Sequence, residues 1–178
     1  MNHLFISGSP NTGKTETIYD LTAYLLTNNR YIIKKGITSK GDKLSSDFFE
    51  IPNVDKSKSI DFLCILEKKD KTVSILINSD SDEINGIDNF IYFYEENPSV
   101  DTVITSIRGY LDPMRILLLD KFDTLLDELG IDSNITEIPL AKITKRGDNL
   151  IAAVNWYRNN IIELIKLVLK NSPFSLLT

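Results

Sequence analysis

The stretch Gly8-Ser9-Pro10-Asn11-Thr12-Gly13-Lys14-Thr15 decides how the chain is expected to fold. It follows the apolar run His3-Leu4-Phe5-Ile6-Ser7, which predicts a short strand. It opens the segment 13–28, where apolar residues recur at helical spacing. Gly8 and Gly13 lack a Cβ, so the backbone between strand and helix can curl sharply. The stretch therefore predicts a strand–loop–helix unit at the start of an α/β domain.

The bulk composition is that of an ordinary folded domain. The chain has 178 residues, of which 42% are hydrophobic and 25% charged, so a single domain over 1–178 is expected. A net charge of -5 disfavours nonspecific binding to nucleic acid or to an anionic membrane. The sequence shows neither a signal peptide nor an apolar stretch of the roughly 18 residues that a membrane span needs. We expect a cytoplasmic protein.

Strand and helix signals alternate along the rest of the chain. Strands are expected at 31–33, 48–51, 60–67, 72–78, 102–106 and 135–138, and helices at 83–96, 113–129 and 148–170. The polar turn 68–71 favours an antiparallel hairpin, while the segment 31–55 is expected to be an irregular excursion rich in lysine. This order predicts a three-layer α/β sandwich with a mostly parallel sheet and one added hairpin.

The final predicted helix has two interpretations. Its apolar residues are spaced alternately by four and three: Leu150, Val154, Tyr157, Ile161, Leu164 and Val168. Such a stripe is typical of a coiled-coil seam between subunits, or of a face that packs on the sheet. The second interpretation is favoured because the helix is short for a coiled coil.

Two residues that often carry chemistry have simpler interpretations here. Cys64 is the only cysteine and lies within an apolar run, which excludes an internal disulfide and favours a buried structural thiol. His3 is the only histidine, and we expect it to be a polar residue at the end of the first strand. Catalytic triads, zinc sites, haem motifs and nucleic-acid signatures are absent from the sequence.

The stretch 8–15 matches the pattern G-x-x-x-x-G-K-[ST] at every position. Consecutive backbone N–H groups in such a turn can converge on phosphate oxygens, and the helix that follows adds the positive end of its dipole. Lys14 supplies a full charge to the β- and γ-phosphates, and Thr15 offers a hydroxyl to Mg²⁺. A bare strand-to-helix turn is the alternative.

On this motif and on its α/β order, the chain resembles the P-loop NTPase superfamily. Pro10 makes the loop similar to those of small nucleotide kinases and small stand-alone ATPases. The resemblance implies that the chain binds ATP and Mg²⁺. The nucleotide-binding residues that it implies are Gly8, Ser9, Pro10, Asn11, Thr12, Gly13, Lys14, Thr15 and Glu16, with Lys14 also catalytic.

Acidic residues after the strand 72–78 are candidates to complete such a site. Asp80 and Asp82 are expected to join Thr15 around the metal, and Glu83 to act as the base that activates water. The alternative is an acidic helix start, since Asp82 and Glu83 would also favour the N-terminal end of a helix dipole.

Arginines near predicted strand ends are candidates for contacts with phosphate. Ligands of open α/β sheets sit beyond the carboxyl ends of the strands, so Arg108 is expected to point toward the phosphates and either contact the γ-phosphate or stabilise transition-state charge. A surface arginine is the alternative. Arg115 is a weaker candidate, and Arg146 could flank the base or a second substrate.

Three functions remain open from the sequence. ATP is favoured over GTP because the segments 82–86 and 144–148 each carry one residue too many for the guanine-nucleotide motifs. Mg²⁺-dependent hydrolysis, or switching with a protein partner, is the first choice. Phosphoryl transfer to a small molecule or nucleotide is the second, since the five arginines form no cluster that could close as a lid. A module that binds nucleotide without turnover is the third.

Overall fold

The structure is a computed structural model that describes residues 1–27, 30–50, 60–81, 83–142 and 150–177. Its strands are β1 (Asn2–Gly8), β2 (Tyr31–Thr38), β3 (Phe62–Lys68), β4 (Ser74–Asn78), β5 (Thr102–Arg108) and β6 (Asn134–Pro139). Its helices are α1 (Lys14–Thr27), α2 (Ile84–Glu95), α3 (Pro113–Leu129) and α4 (Leu150–Lys170). The α/β class expected from the sequence is confirmed. Within the described ranges, no helix is long and apolar enough to cross a membrane.

The strands form one six-stranded sheet in the order β2-β3-β4-β5-β1-β6. Strand β1 pairs in parallel with β5 and β6, and β4 pairs in parallel with β5. Strand β3 runs antiparallel to both β2 and β4. The expected mostly parallel sheet with a hairpin is therefore confirmed. Because β3 is reversed, its first residues lie level with the carboxyl ends of the parallel strands.

The buried side chains divide into two clusters on alternate positions of the strands. In β1, Leu4 and Ile6 join the cluster that also contains side chains of α1 and α4. Phe5, between them, joins the cluster that contains side chains of α2 and α3. Since successive side chains of a strand point to opposite faces of a sheet, β1 is covered on both faces. It is an interior strand, paired on both sides, that anchors the loop after Gly8.

Helix α3 shows how local signals set the limits of an element. The Asp112 side chain accepts a hydrogen bond from the Met114 amide at 2.9 Å, and Pro113 occupies the first turn. Gly130 ends the helix in the left-handed conformation, with φ of 63°. The expected helix 113–129 is confirmed, and helices α1 and α2 agree with expectation to within a residue at each end.

The segment 31–55 differs from expectation. Strand β2 runs on to Thr38 and pairs with β3, where a short strand was expected. The strand expected at 48–51 is wrong for its described part, because Ser46–Phe49 forms a 3-10 helix. Its Phe48 and Phe49 rings pack against Tyr19 and Phe62, so aromatic packing satisfies this apolar pair without a strand. Residue 51 lies outside the described residues.

Helix α4 packs on the domain, as the favoured interpretation of its stripe expects. Ile161, Ile165 and Leu169 are buried in the cluster shared with α1. Leu164, expected on the same face, is 46% exposed instead, because the buried face follows the true helical period rather than a strict heptad.

Burial decides the state of both Cys64 and His3. Cys64 is fully buried, as expected, and burial raises the pKa of its thiol. His3 differs from expectation, since it lies within β1 and is fully buried, with its ring 4.8 Å from that of Phe122. Both ring nitrogens are buried without a hydrogen-bond partner among the described residues. Burial lowers the pKa of His3 to about 4, so the folded protein holds this ring neutral.

The His3 ring should make the protein sensitive to acid. The unfolded chain binds a proton at His3 below its ordinary pKa of about 6.5, whereas the folded chain does so only near 4. The stability that this ring contributes is thus complete above pH 6.5 and is lost as the pH falls toward 4, by about 3 kcal/mol. We expect His3→Leu to remove this component in urea unfolding measured from pH 7 to 4. Parallel curves for the two proteins would contradict the assignment.

Candidate functional site

The loop between β1 and α1 is closed by contacts within itself. The Thr12 hydroxyl donates a hydrogen bond to the Ser9 carbonyl at 2.9 Å. Asn11 and Gly13 lie in the left-handed region, with φ of 63° and 86°. A Cβ on Gly8 would overlap the Thr12 side chain. The turn therefore needs glycine at its start and left-handed backbone at two further positions.

Helix α1 begins directly at this loop. Its first helical hydrogen bond runs from the Thr17 amide to the Gly13 carbonyl at 2.9 Å, and the amides of the first turn have no partner within the helix itself. Lys14 is only 5% exposed as a whole residue, and its Nζ lies 3.5 Å from the Ser9 carbonyl oxygen. The lysine charge is thus folded back over the loop.

The loop lies where neighbouring strands send the chain to opposite faces of the sheet. Gly8, at the end of β1, pairs in register with Arg108, at the end of β5. Helix α1 follows β1 and contributes to one core cluster, whereas α3 follows β5 and contributes to the other. A Cβ on Gly109 would stand 3.7 Å from the Ser9 amide nitrogen, so the two loops touch. Such a switch point leaves a crevice at the strand ends, where ligands of α/β sheets bind.

Asp61 is an acidic residue that contacts the first turn of helix α1. The Thr15 hydroxyl donates to Asp61 Oδ1 at 2.8 Å, and the Ser79 hydroxyl lies 3.4 Å from the same oxygen. Asp61 directly precedes β3, whose reversed direction brings it to this edge. Sequence reasoning missed it because acids were sought only where a strand ends. Asp61 lay inside the strand expected at 60–67, so a carboxylate at the start of the hairpin's first strand was the available signal.

Buried hydroxyls join the ends of β4 and β5 beside Asp61. Ser106 donates to the Ser79 carbonyl at 2.9 Å, and its Oγ lies 2.7 Å from that of Ser81. Asn78 donates to the Thr105 hydroxyl at 2.9 Å. These buried hydrogen bonds fix the two strand ends relative to each other.

The acidic residues expected after β4 take different places. Asp80 is half-buried, and its carboxylate lies against Gly86 in the first turn of α2, where a Cβ would overlap it. Glu83 stands at the start of α2 and is exposed. Asp82 lies outside the described residues. The hydroxyl of Thr15 meets Asp61 instead.

Of the expected arginines, Arg108 ends β5 beside Gly8, as its position in the sequence suggested. Arg115 makes a two-pronged pair with Glu137 of β6, at 3.0 and 2.7 Å. The hydrogen bonds from Arg115 lower the pKa of Glu137, and a hydrogen bond from Ser7 adds a smaller effect in the same direction. Together they outweigh partial burial, which raises this pKa. Arg115 therefore serves the contact between α3 and β6, and Arg146 lies outside the described residues.

A second ion pair stands next to the loop and involves a residue that sequence reasoning did not single out. Glu16, in the first turn of α1, pairs with Arg158 of α4. A Cβ on Gly13 would stand 3.0 Å from the same Glu16 oxygen that Arg158 contacts. The two residues lie 142 positions apart in the chain, so no local pattern could have joined them.

In the part of the chain that the structure describes, no three His, Cys, Asp or Glu side chains gather as a metal site. Comparison with models of protein families, with curated proteins and with solved structures gives no match to this chain. Functional inference therefore depends on the residues and their geometry.

Proposed function

We propose that the chain is a nucleoside-triphosphate-binding protein of three-layer α/β architecture, with the phosphates held by the loop 8–15. The observation that carries this proposal is the closed, left-handed turn at the sheet's switch point, with the Lys14 charge folded over it. Such a turn directs backbone N–H groups toward an anion, and the start of α1 adds its dipole. ATP is the preferred nucleotide on the sequence arguments above.

Thr15 and Asp61 are the residues that would hold Mg²⁺ beside the phosphates. A hydroxyl and a carboxylate 2.8 Å apart at the start of α1 are the oxygen ligands that this ion takes in phosphate sites. Mg²⁺ completes its shell with water and phosphate oxygens, which agrees with so few protein ligands. Bound there, the ion would neutralise charge on the β- and γ-phosphates. Asp80 and Asp82 stay as further proposed ligands, through water.

Hydrolysis or nucleotide-dependent switching is the reaction that we propose first. Arg108 stands at the strand end nearest Gly8, where a guanidinium would meet the terminal phosphate and the charge that develops on it. Glu83 is exposed at the same edge and would orient water as a base. Phosphoryl transfer to a small molecule is the second proposal, and binding without turnover the third.

Lys14→Ala should remove most of the thermal stabilisation that Mg·ATP gives the protein. At about 100 times its Kd, a ligand adds about 2.7 kcal/mol to the free energy of unfolding, and the lysine charge is expected to supply much of the affinity. Differential scanning fluorimetry with a panel of nucleotides measures the shift in Tm. Lys34→Ala is the control, since it removes an exposed cation of the edge strand β2. An equal shift in the wild type and in Lys14→Ala would sink the central proposal.

Asp61→Asn should weaken the dependence of nucleotide affinity on Mg²⁺ by about tenfold or more, because a neutral amide holds the ion less well than a carboxylate, either directly or through water. Asparagine retains an acceptor for the Thr15 hydroxyl, so the fold should persist. Titration calorimetry with and without Mg²⁺ measures the effect. Asp80→Asn is the matched control and should change the Mg²⁺ dependence less. The reverse order would move the metal site to Asp80.

Arg108→Ala should lower the rate of phosphate release by about 100-fold while changing nucleotide affinity only a few-fold, as expected for a group that acts on transition-state charge. A phosphate-release assay and transfer of labelled phosphate to candidate acceptors separate hydrolysis from kinase activity. Equal turnover in the wild type and in this variant would remove Arg108 from the reaction. If the wild type neither releases phosphate nor transfers it to an acceptor, the third proposal, nucleotide binding without turnover, is the one that stands.

A further inference from the structure

The Glu16–Arg158 ion pair places a second cation beside the loop, on a helix from the far end of the chain. One Glu16 oxygen both contacts the guanidinium and stands 3.0 Å from the Cβ position of Gly13. A single carboxylate oxygen therefore separates Arg158 from the backbone of the loop. The Glu16 side chain is 17% exposed and that of Arg158 is 36% exposed, so part of the arginine side chain is open to solvent.

The pair has an electrostatic consequence for any anion on the loop. A carboxylate next to bound phosphate repels it, and this cost is largest where the carboxylate is sheltered from water, as Glu16 is. Arg158 offsets the negative charge of Glu16, and its guanidinium has more N–H donors than this one contact uses. A guanidinium carries five N–H donors in a fixed fork, so it can hold Glu16 with one edge and present another to a phosphate oxygen.

The position of Arg158 defines which part of a nucleotide it reaches. Asp61 precedes β3 and meets Thr15. In the sheet, β3 is separated from β1 by β4 and β5, so Asp61 approaches the loop from that side. Arg158 approaches from α4, whose Tyr157 hydroxyl accepts a hydrogen bond from the Ala141 amide at 2.7 Å, just after β6 and thus on the other side of β1. The two groups therefore flank the loop from opposite sides. If Mg²⁺ and the β- and γ-phosphates lie toward Asp61, the nucleoside end lies toward Arg158.

We propose that Arg158, oriented by Glu16, binds the phosphate at the nucleoside end of the nucleotide and so contributes equally to holding di- and triphosphates. The inference rests on the proposed function, because it needs a nucleotide on the loop. It assigns to α4 a ligand contact, in addition to its packing on α1. Glu16 is a positioning residue, since it acts through Arg158.

The test compares Arg158→Ala in two backgrounds, the wild type and Glu16→Gln. Full-length proteins are titrated with Mg·ADP and Mg·ATP by calorimetry. In the Glu16→Gln background, loss of Arg158 should weaken both ligands by about tenfold, as expected for a charge-assisted contact. In the wild-type background the loss should be larger, because Glu16 is left unpaired beside the phosphates. The double variant carries no unpaired charge at this point, so it keeps the test valid if Arg158→Ala folds poorly.

Lys166→Ala is the matched control, because Lys166 lies on the same helix, pairs with Glu163 and stands over the Tyr24 ring of α1, two turns from Arg158. It should leave both affinities unchanged. Equal affinities of Glu16→Gln and the double variant would overturn the proposal, since Arg158 would then only neutralise Glu16. A tenfold greater loss for ATP than for ADP would overturn the assignment to the nucleoside end. If the wild-type protein binds neither nucleotide, the proposed function is overturned together with the role of Arg158. If binding is lost in Lys14→Ala but kept in the Arg158 variants, only the role of Arg158 is overturned.

Discussion

The sharp turn between Gly8 and Gly13 is the constraint on which the rest of the site depends. It is held by the Thr12 hydroxyl on the Ser9 carbonyl and by left-handed backbone at Asn11 and Gly13. Asparagine adopts left-handed backbone more readily than most residues, but at some cost, so its surroundings help to hold it there. Those surroundings are firm, because β1 pairs with a strand on each side and is covered on both faces. A rigid strand therefore fixes where the turn begins, and α1 fixes where it ends.

The acidic net charge of the chain makes the local arrangement of charge decisive. Two arginines near the strand ends are paired with carboxylates: Arg115 with Glu137, and Arg158 with Glu16. Pairing of this kind lowers the conformational freedom that a long side chain would otherwise lose when an anion binds. The paired carboxylates also reduce the repulsion between these arginines and the buried Lys14. The site is thus expected to attract phosphate locally while the whole molecule stays acidic.

The parts of this structure that could be predicted from sequence are those set by neighbouring residues. The β1–loop–α1 unit and the limits of α3 follow from local signals such as Asp112, Pro113 and Gly130. The contacts that complete the site are not local: Asp61 meets Thr15 across 46 positions. Its place depends on the reversed direction of β3, which a hairpin signal suggests but does not connect to the loop. His3 was misjudged for a related reason, since only the packed sheet and Phe122 show that its ring is enclosed.

The packing of α4 limits how Arg158 can act. Ile161, Ile165 and Leu169 are buried in the cluster that also contains Leu21 of α1, so the two helices share one packed layer. Moving α4 as a body would expose these side chains, at a cost of about 1.5–3 kcal/mol for each one returned to water. A single exchanged hydrogen bond cannot supply that energy. If Arg158 binds a ligand as proposed, it would therefore respond by rotation of its own side chain, with the helix as a fixed support that sets its reach.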